Sequence, residues 1–441
     1  MVTNISKRRS ADFIGFYRMV KYKLSLNHKK ITSFFLVYLL LFIPLNYFIN
    51  IFLADYLHNE FGISAISYGL AVFVSLCSYL ICFGRTSFPG FIIVLLLLFG
   101  TIFYFLIYPS DANFVFTSFL DLAYNPFIIL FVYCVPVFLI ALSGEIDYKS
   151  IFRTLVILGR ITIIALALFF FVLNIGWKRV GGQYMTTSYY ALPFICSLML
   201  SHVKKKKFLS LDLLISFLGI FMVIVGGSRG ALLCVAIFAF LLIIISCYRD
   251  RKKLWLAALL VVLLLFFLIG SDSIFALLKS FATSIGFDSR TISKIEDSSF
   301  FVSNDRIALW SRCINSLFES PITTFFGYGL WGDRPIANGY SHNIFIELIT
   351  SFGLVFGSAL FLIIFVKIVK GTINSAKFAN DKHSIFLLAI PYGFFQLFFS
   401  DSLLLNVWFF LLIGLMLNDK VSNKRVSTKR LFNSNDILHV I

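Results

Sequence analysis

The chain has 441 residues, 59% of them hydrophobic and only 13% charged, with 55 Phe and a formal net charge of +17. Soluble domains carry about 25% charged residues. Water cannot solvate so much apolar surface, so the composition excludes a soluble globular protein and predicts an all-α integral membrane protein. The basic excess is distributed as membrane topology distributes it, and no nucleic-acid partner is expected.

Apolar runs of the length that crosses a bilayer, about 17–25 residues, fall at 31–53, 64–83, 89–108, 126–143, 157–175, 186–202, 209–226, 230–247, 254–270, 344–366, 384–399 and 403–418. That predicts about 12 transmembrane helices. Residues 1–30 precede them as a basic tail with Lys7, Arg8, Arg9, Lys29 and Lys30. The tail reads as cytoplasmic and is followed by an uncleaved signal anchor. Nine spans occupy 31–270, a large outer loop occupies 271–343, three spans occupy 344–418, and 419–441 form a second basic tail.

With the N-terminus inside and alternating sidedness, 29 of the 38 Lys and Arg residues face the cytoplasm, while the outer loops 54–63, 109–125 and 399–402 carry none. This asymmetry predicts a multi-pass protein of the bacterial inner membrane with both termini cytoplasmic. The seven Cys show neither a disulfide framework nor a CxxC metal spacing. No metal or cofactor is expected.

The 271–343 segment is too long for a simple connection and is predicted to fold on the periplasmic face. Ile307, Leu309, Trp310, Ile314 and Leu317 form a helical apolar stripe, followed by a turn-rich stretch with Gly327, Gly329, Gly332, Pro335 and Gly339. Basic residues on the outer side work against the positive-inside rule, and an anionic ligand is one reason to place them there.

Arg229 sits in Gly226-Gly227-Ser228-Arg229-Gly230, where a new span opens. Small residues there allow close backbone approach, and a helix N-terminus beside an arginine suits phosphate. The bland alternative is an interfacial arginine snorkelling to headgroups. Arg306 follows Asp305 and could equally form a surface ion pair; Arg312 and Arg334 carry less local signal. His342 and Asn343 precede the tenth span, with Glu347 just inside it. Histidine is the usual base near neutral pH, and a carboxylate in hydrocarbon is a functional candidate by default. The alternative for Glu347 is a neutral acid hydrogen-bonded to a neighbouring helix. Tyr328, Trp331 and Tyr340 could stack on sugar faces or belong to the interfacial aromatic belt. No GxGxxG, Walker A or DxD motif is present, so an activated donor would have to come from the membrane.

Three places resemble the O-antigen ligase and O-antigen polymerase superfamily: Gly227-Ser228-Arg229-Gly230-Ala231 opening a span, Asn304-Asp305-Arg306 with Trp310, and His342-Asn343 with Glu347 and, nine residues on, Gly353. Arg179-Val180-Gly181-Gly182 is similar to the stretch preceding this core. The resemblance implies a metal-independent membrane glycosyltransferase of the GT-C type that uses undecaprenyl-pyrophosphate-linked glycans. It implies catalytic roles for Arg229, Arg306 and His342, and substrate contacts from Arg179, Ser228, Asn343, Glu347, Tyr340 and Arg312. A chain-length regulator is an implied partner. Leu354, Val355 and Phe356 after Gly353 depart from the pattern common in ligases, which favours the polymerase. A ligase acting on lipid A-core is the alternative, and a lipid-linked glycan flippase is the alternative of another class.

Overall fold

A computed structural model describes residues 28–49, 60–83, 88–107, 126–168, 184–205, 210–226, 228–249, 280, 304–337, 340–377 and 380–418. The predicted span at 254–270, most of the loop before residue 304, Arg179 and the 419–441 tail lie outside them. Among the described residues all regular structure is helical. Lipid offers backbone groups no hydrogen-bond partners, and helices satisfy theirs internally.

In chain order the helices are α1 (His28–Ile49), α2 (Glu60–Phe83), α3 (Phe88–Ile107), α4 (Pro126–Ser143), α5 (Tyr148–Ala167), α6 (Tyr184–Lys205), α7 (Leu211–Gly226) and α8 (Arg229–Arg249). The loop region contributes α9 (Asn304–Leu317), α10 (Pro321–Phe326) and α11 (Asp333–Ala337). Then come α12 (Ile344–Lys377), α13 (Asp381–Ile390) and α14 (Val407–Asn418). Six described helices, α1, α3, α4, α5, α8 and α12, are long and apolar enough to cross a membrane. α6 packs against α5, α7 and α8. Gly159 makes the α5 approach possible: a Cβ there would press on the Phe194 carbonyl at 3.2 Å and Ser197 Oγ at 3.1 Å.

Three predicted spans differ in form. The helix predicted from 157 begins at Tyr148, because Asp147 caps it by accepting from Ser150 N–H at 3.2 Å. The stretch 384–399 is not one α-helix: α13 ends at Ile390 and a π turn at Pro391–Phe395 and a 3₁₀ turn at Gln396–Phe398 follow. Proline cannot donate to the ladder, and the widened turn accommodates it.

The predicted span 344–366 is broken at Gly353, whose φ of 80° and ψ of 166° leave the helical region. Glycine adopts this conformation without a side-chain clash. A Cβ here would also run into the Phe325 carbonyl. The freed carbonyls before the break are satisfied from outside the helix: Tyr328 N–H donates to Thr350 O at 2.8 Å and Gly329 N–H to Ser351 O at 2.9 Å. Thus 344–352 is a buried stub. Beyond it Leu354, Val355 and Phe356 turn outward at the start of an apolar arm. From 354 to 377 that arm rises about 36 Å, enough to cross a hydrocarbon core of about 30 Å.

Candidate functional site

The site is built around the short connection 340–343 between α11 and α12. Ser341, fully buried, is pinned from two sides: its N–H donates to Asp333 Oδ2 at 2.8 Å, and its carbonyl accepts from Trp310 Nε1 at 2.9 Å. Asn343 caps the stub, its Oδ1 accepting from Phe345 N–H at 2.9 Å and Ile346 N–H at 3.3 Å. Between these anchors His342 holds a left-handed φ of 55°. Such a conformation costs a non-glycine residue about 1–3 kcal/mol and persists only where neighbours over-determine it.

Arg306 and Trp310 are four residues apart and share one face of α9, so the helix that pins Ser341 also brings Arg306 to the loop. The Tyr340 and His342 rings lie 4.1 Å apart between centroids. Burial, and then the charge of Arg306, hold the His342 imidazole down at about 4. The ring is therefore neutral at pH 7. Its Nδ1 is buried without a hydrogen-bond partner among the described residues. Burial pushes Tyr340 up to about 12, with the Asp401 carboxylate adding to it and Arg306 opposing.

Ser228 is buried just before α8, and its side chain pairs with the hydroxyl of Tyr189 from α6. At Gly230, the last residue of the small-residue turn, the Tyr189 hydroxyl occupies the space a Cβ would take. Arg229 is the first residue of α8, and its side chain lies outside what is described. Tyr189 also feels the charges of Arg306 and Asp401, so the start of α8, the head of α9 and the 340–343 loop converge.

Glu347 is buried, but its partners are not His342. Its carboxylate accepts from Ser402 Oγ at 2.6 Å and Leu403 N–H at 2.9 Å. Glu347 thereby anchors the 400–403 turn. Arg312 lies exposed on another flank of α9. Trp331 is buried, donating to Thr101 Oγ1 at 3.3 Å, and Tyr328 bonds the Ser316 carbonyl at 2.7 Å. Of the three aromatics proposed for stacking, Tyr340 is the one beside the histidine.

The structure adds two residues that sequence reasoning did not place in the site. Arg334 stacks over the Trp331 ring at 4.6 Å, close to the acidic side chains of Asp333 and Glu347. Its Nε is buried without a partner among the described residues. Asp401 is half-buried with φ 92° and accepts from Asn406 Nδ2 and Ser402 N–H, each at 2.9 Å. Burial raises its carboxyl to about 6. The available sequence signal for Asp401 was a lone acid in a predicted outer loop that has no basic residue. Among the described residues, no group of three or more His, Cys, Asp or Glu side chains is placed to hold a metal ion.

Chemically, the site offers arginines for a polyanion, a neutral imidazole with an unfilled nitrogen, and carboxylates held by amide donors. Residues 214–362 match the family model described as O-antigen ligase. No curated protein matches the chain, and no solved structure matches it.

Proposed function

From the chain's place in the O-antigen ligase and polymerase superfamily, carried by residues 214–362, we propose that it is an O-antigen polymerase. It joins undecaprenyl-pyrophosphate-linked oligosaccharide repeat units at the periplasmic face of the inner membrane. The observation that carries this reading is the convergence of Arg306, Tyr340 and His342 on a loop fixed from both sides.

The donor enters laterally from the outer leaflet. Arg306 and Arg229, with Arg334 behind them, hold the pyrophosphate and stabilise the charge that develops as it leaves. His342 takes the proton from the acceptor hydroxyl while the acceptor oxygen bonds to the anomeric carbon. A base with a pKa near 4 is weak at pH 7. A pyrophosphate bound at Arg306 offsets the arginine charge that helps depress the imidazole, so donor binding raises its proton affinity toward the working range. Asn343 and Glu347 act on position: one caps the stub behind the histidine, the other fixes the turn carrying Asp401.

The polymerase reading rests on the departure after Gly353, where Leu354, Val355 and Phe356 are exposed apolar residues. The matched family does not separate the two activities, and the second reading is a ligase that transfers finished polysaccharide to lipid A-core. Lipopolysaccharide from a deletion strain separates them: core plus one repeat marks the polymerase, bare core with accumulated lipid-linked chains marks the ligase. Transfer by purified protein tests the chemistry, and near wild-type turnover in Arg229→Ala, Arg306→Ala or His342→Ala would overturn the role assigned to that residue. Translocation of the lipid-linked glycan with no glycosidic bond formed would mark a flippase instead.

A further inference from the structure

At the end of the bundle away from His342, Lys29 and Lys30 of α1, Lys149 of α5 and Lys382 of α13 line an open basin of about 510 Å³ with Asp147 and Asp381. Both carboxylates are engaged. Asp147 caps α5, and Asp381 accepts from Lys204 Nζ at 2.6 Å. With four lysines against two carboxylates, the basin presents net positive charge. Its walls are tied together: Ser33 Oγ accepts from Asp147 N–H at 2.8 Å, and Thr32 Oγ1 donates to the Glu145 carbonyl at 2.5 Å.

Lys30 also opens a second, apolar groove of about 590 Å³ along α1 and α5, lined by Phe34, Val37, Leu41, Ile49, Leu70 and Leu158 among others. Between Lys30 and Ile49 the α1 axis rises about 28 Å. One leaflet of hydrocarbon is about 15 Å deep, so the groove can take a complete acyl chain. A cationic basin at the membrane boundary that continues into an apolar trough matches an amphiphile with an anionic head.

We infer that this composite site binds an anionic diacyl glycerophospholipid of the leaflet on that side. Its phosphate lies at Lys29, Lys30 and Lys149, and one acyl chain lies between α1 and α5. Charge complementarity selects this occupant: a zwitterionic lipid brings no net charge to the lysines, and an uncharged polyprenyl chain leaves the basin unused. Bound there, the lipid bridges α1 and α5 at the end of the bundle opposite the site.

The test is native mass spectrometry of the purified, delipidated full chain with equimolar phosphatidylglycerol and phosphatidylcholine. Phosphatidylglycerol is retained preferentially. Replacing Lys29, Lys30 and Lys149 by Gln together reduces that preference about a hundredfold, at about fivefold per lysine; replacing them by Arg preserves it. Val37→Trp, which fills the groove, weakens retention of both lipids, and soluble glycerol phosphate does not compete. Equal retention of the two lipids by the wild-type chain, an unchanged preference in the Gln variant, or displacement by glycerol phosphate would each overturn the inference. All three lysines are exposed, so the variants keep the core intact.

Discussion

Two clusters of buried charge mark opposite ends of the bundle, and they differ in whether their partners are complete. At one end the fully buried Asp212 of α7 accepts from Arg160 Nε and Ser201 Oγ, each at 2.7 Å, and from Lys205 Nζ. That closes α5, α6 and α7 into one knot with the acid satisfied. At the other end His342 and Arg334 keep buried nitrogens without partners among the described residues, and Trp331, His342 and Asp401 hold positive φ. A buried polar group is normally paired, and an orphan needs an explanation. The saturated cluster holds the helices together. The unsaturated one carries strain and unmade hydrogen bonds, as a site awaiting a polyanion and a hydroxyl would.

Breaking the unsaturated end should abolish chemistry and leave the fold. His342→Ala is expected to lower transfer by about 10²–10⁴-fold, the usual contribution of a positioned base, with unchanged thermal unfolding in detergent. Arg306→Ala is expected to cost about 10²–10³-fold, the loss of one donor to developing charge. Breaking the saturated end should do the reverse. Asp212→Ala removes the shared acceptor of Arg160, Ser201 and Lys205, leaves two partly exposed cations, and is expected to cost about 1.5–3 kcal/mol of stability, read as a lower unfolding temperature, with turnover per folded molecule preserved. Loss of turnover at full stability would erase the distinction between the two ends.

Smaller effects sharpen the comparison. Trp310→Phe removes only the bond to the Ser341 carbonyl, worth about 1 kcal/mol, so transfer should fall roughly fivefold as the histidine loosens. The pH response follows from the depressed imidazole. With His342 at about 4, against an unfolded value near 6.5, its contribution to stability is present above pH 6.5 and is lost as pH falls toward 4. Arg306→Gln removes one cause of the depression, so a histidine NMR titration should move upward, toward 6.5. A downward or absent shift would mean that Arg306 does not act on the imidazole.

Much of the fold was legible because lipid imposes simple demands. Helices lie on the apolar stretches at α1, α3 and α4 within a few residues of where hydropathy put them, since an uncapped polar backbone cannot be left in hydrocarbon. The break at Gly353 was not legible. Hydropathy runs unbroken through it, and the deciding contact is with Phe325 and Gly327 on another element. At the site, Arg306 and His342 stood out as basic groups on a face predicted to be the outer one. Arg334 looked ordinary until the fold placed it over Trp331, and Asp401 belongs to a turn whose importance lies in what Glu347, Asn406 and Tyr340 do around it.

The sequence by itself determined that this is a helical membrane protein and which segments are apolar enough to be buried in lipid, and it predicted a few cations on the outer side. Those are properties of composition and local period, carried by each residue wherever its neighbours are. Tertiary structure decided which cations share a site, which carboxylate holds a turn and not a histidine, and which helix is broken. These depend on contacts between residues far apart in the chain, such as Glu347 with Ser402 and Trp310 with Ser341, and no local pattern encodes them.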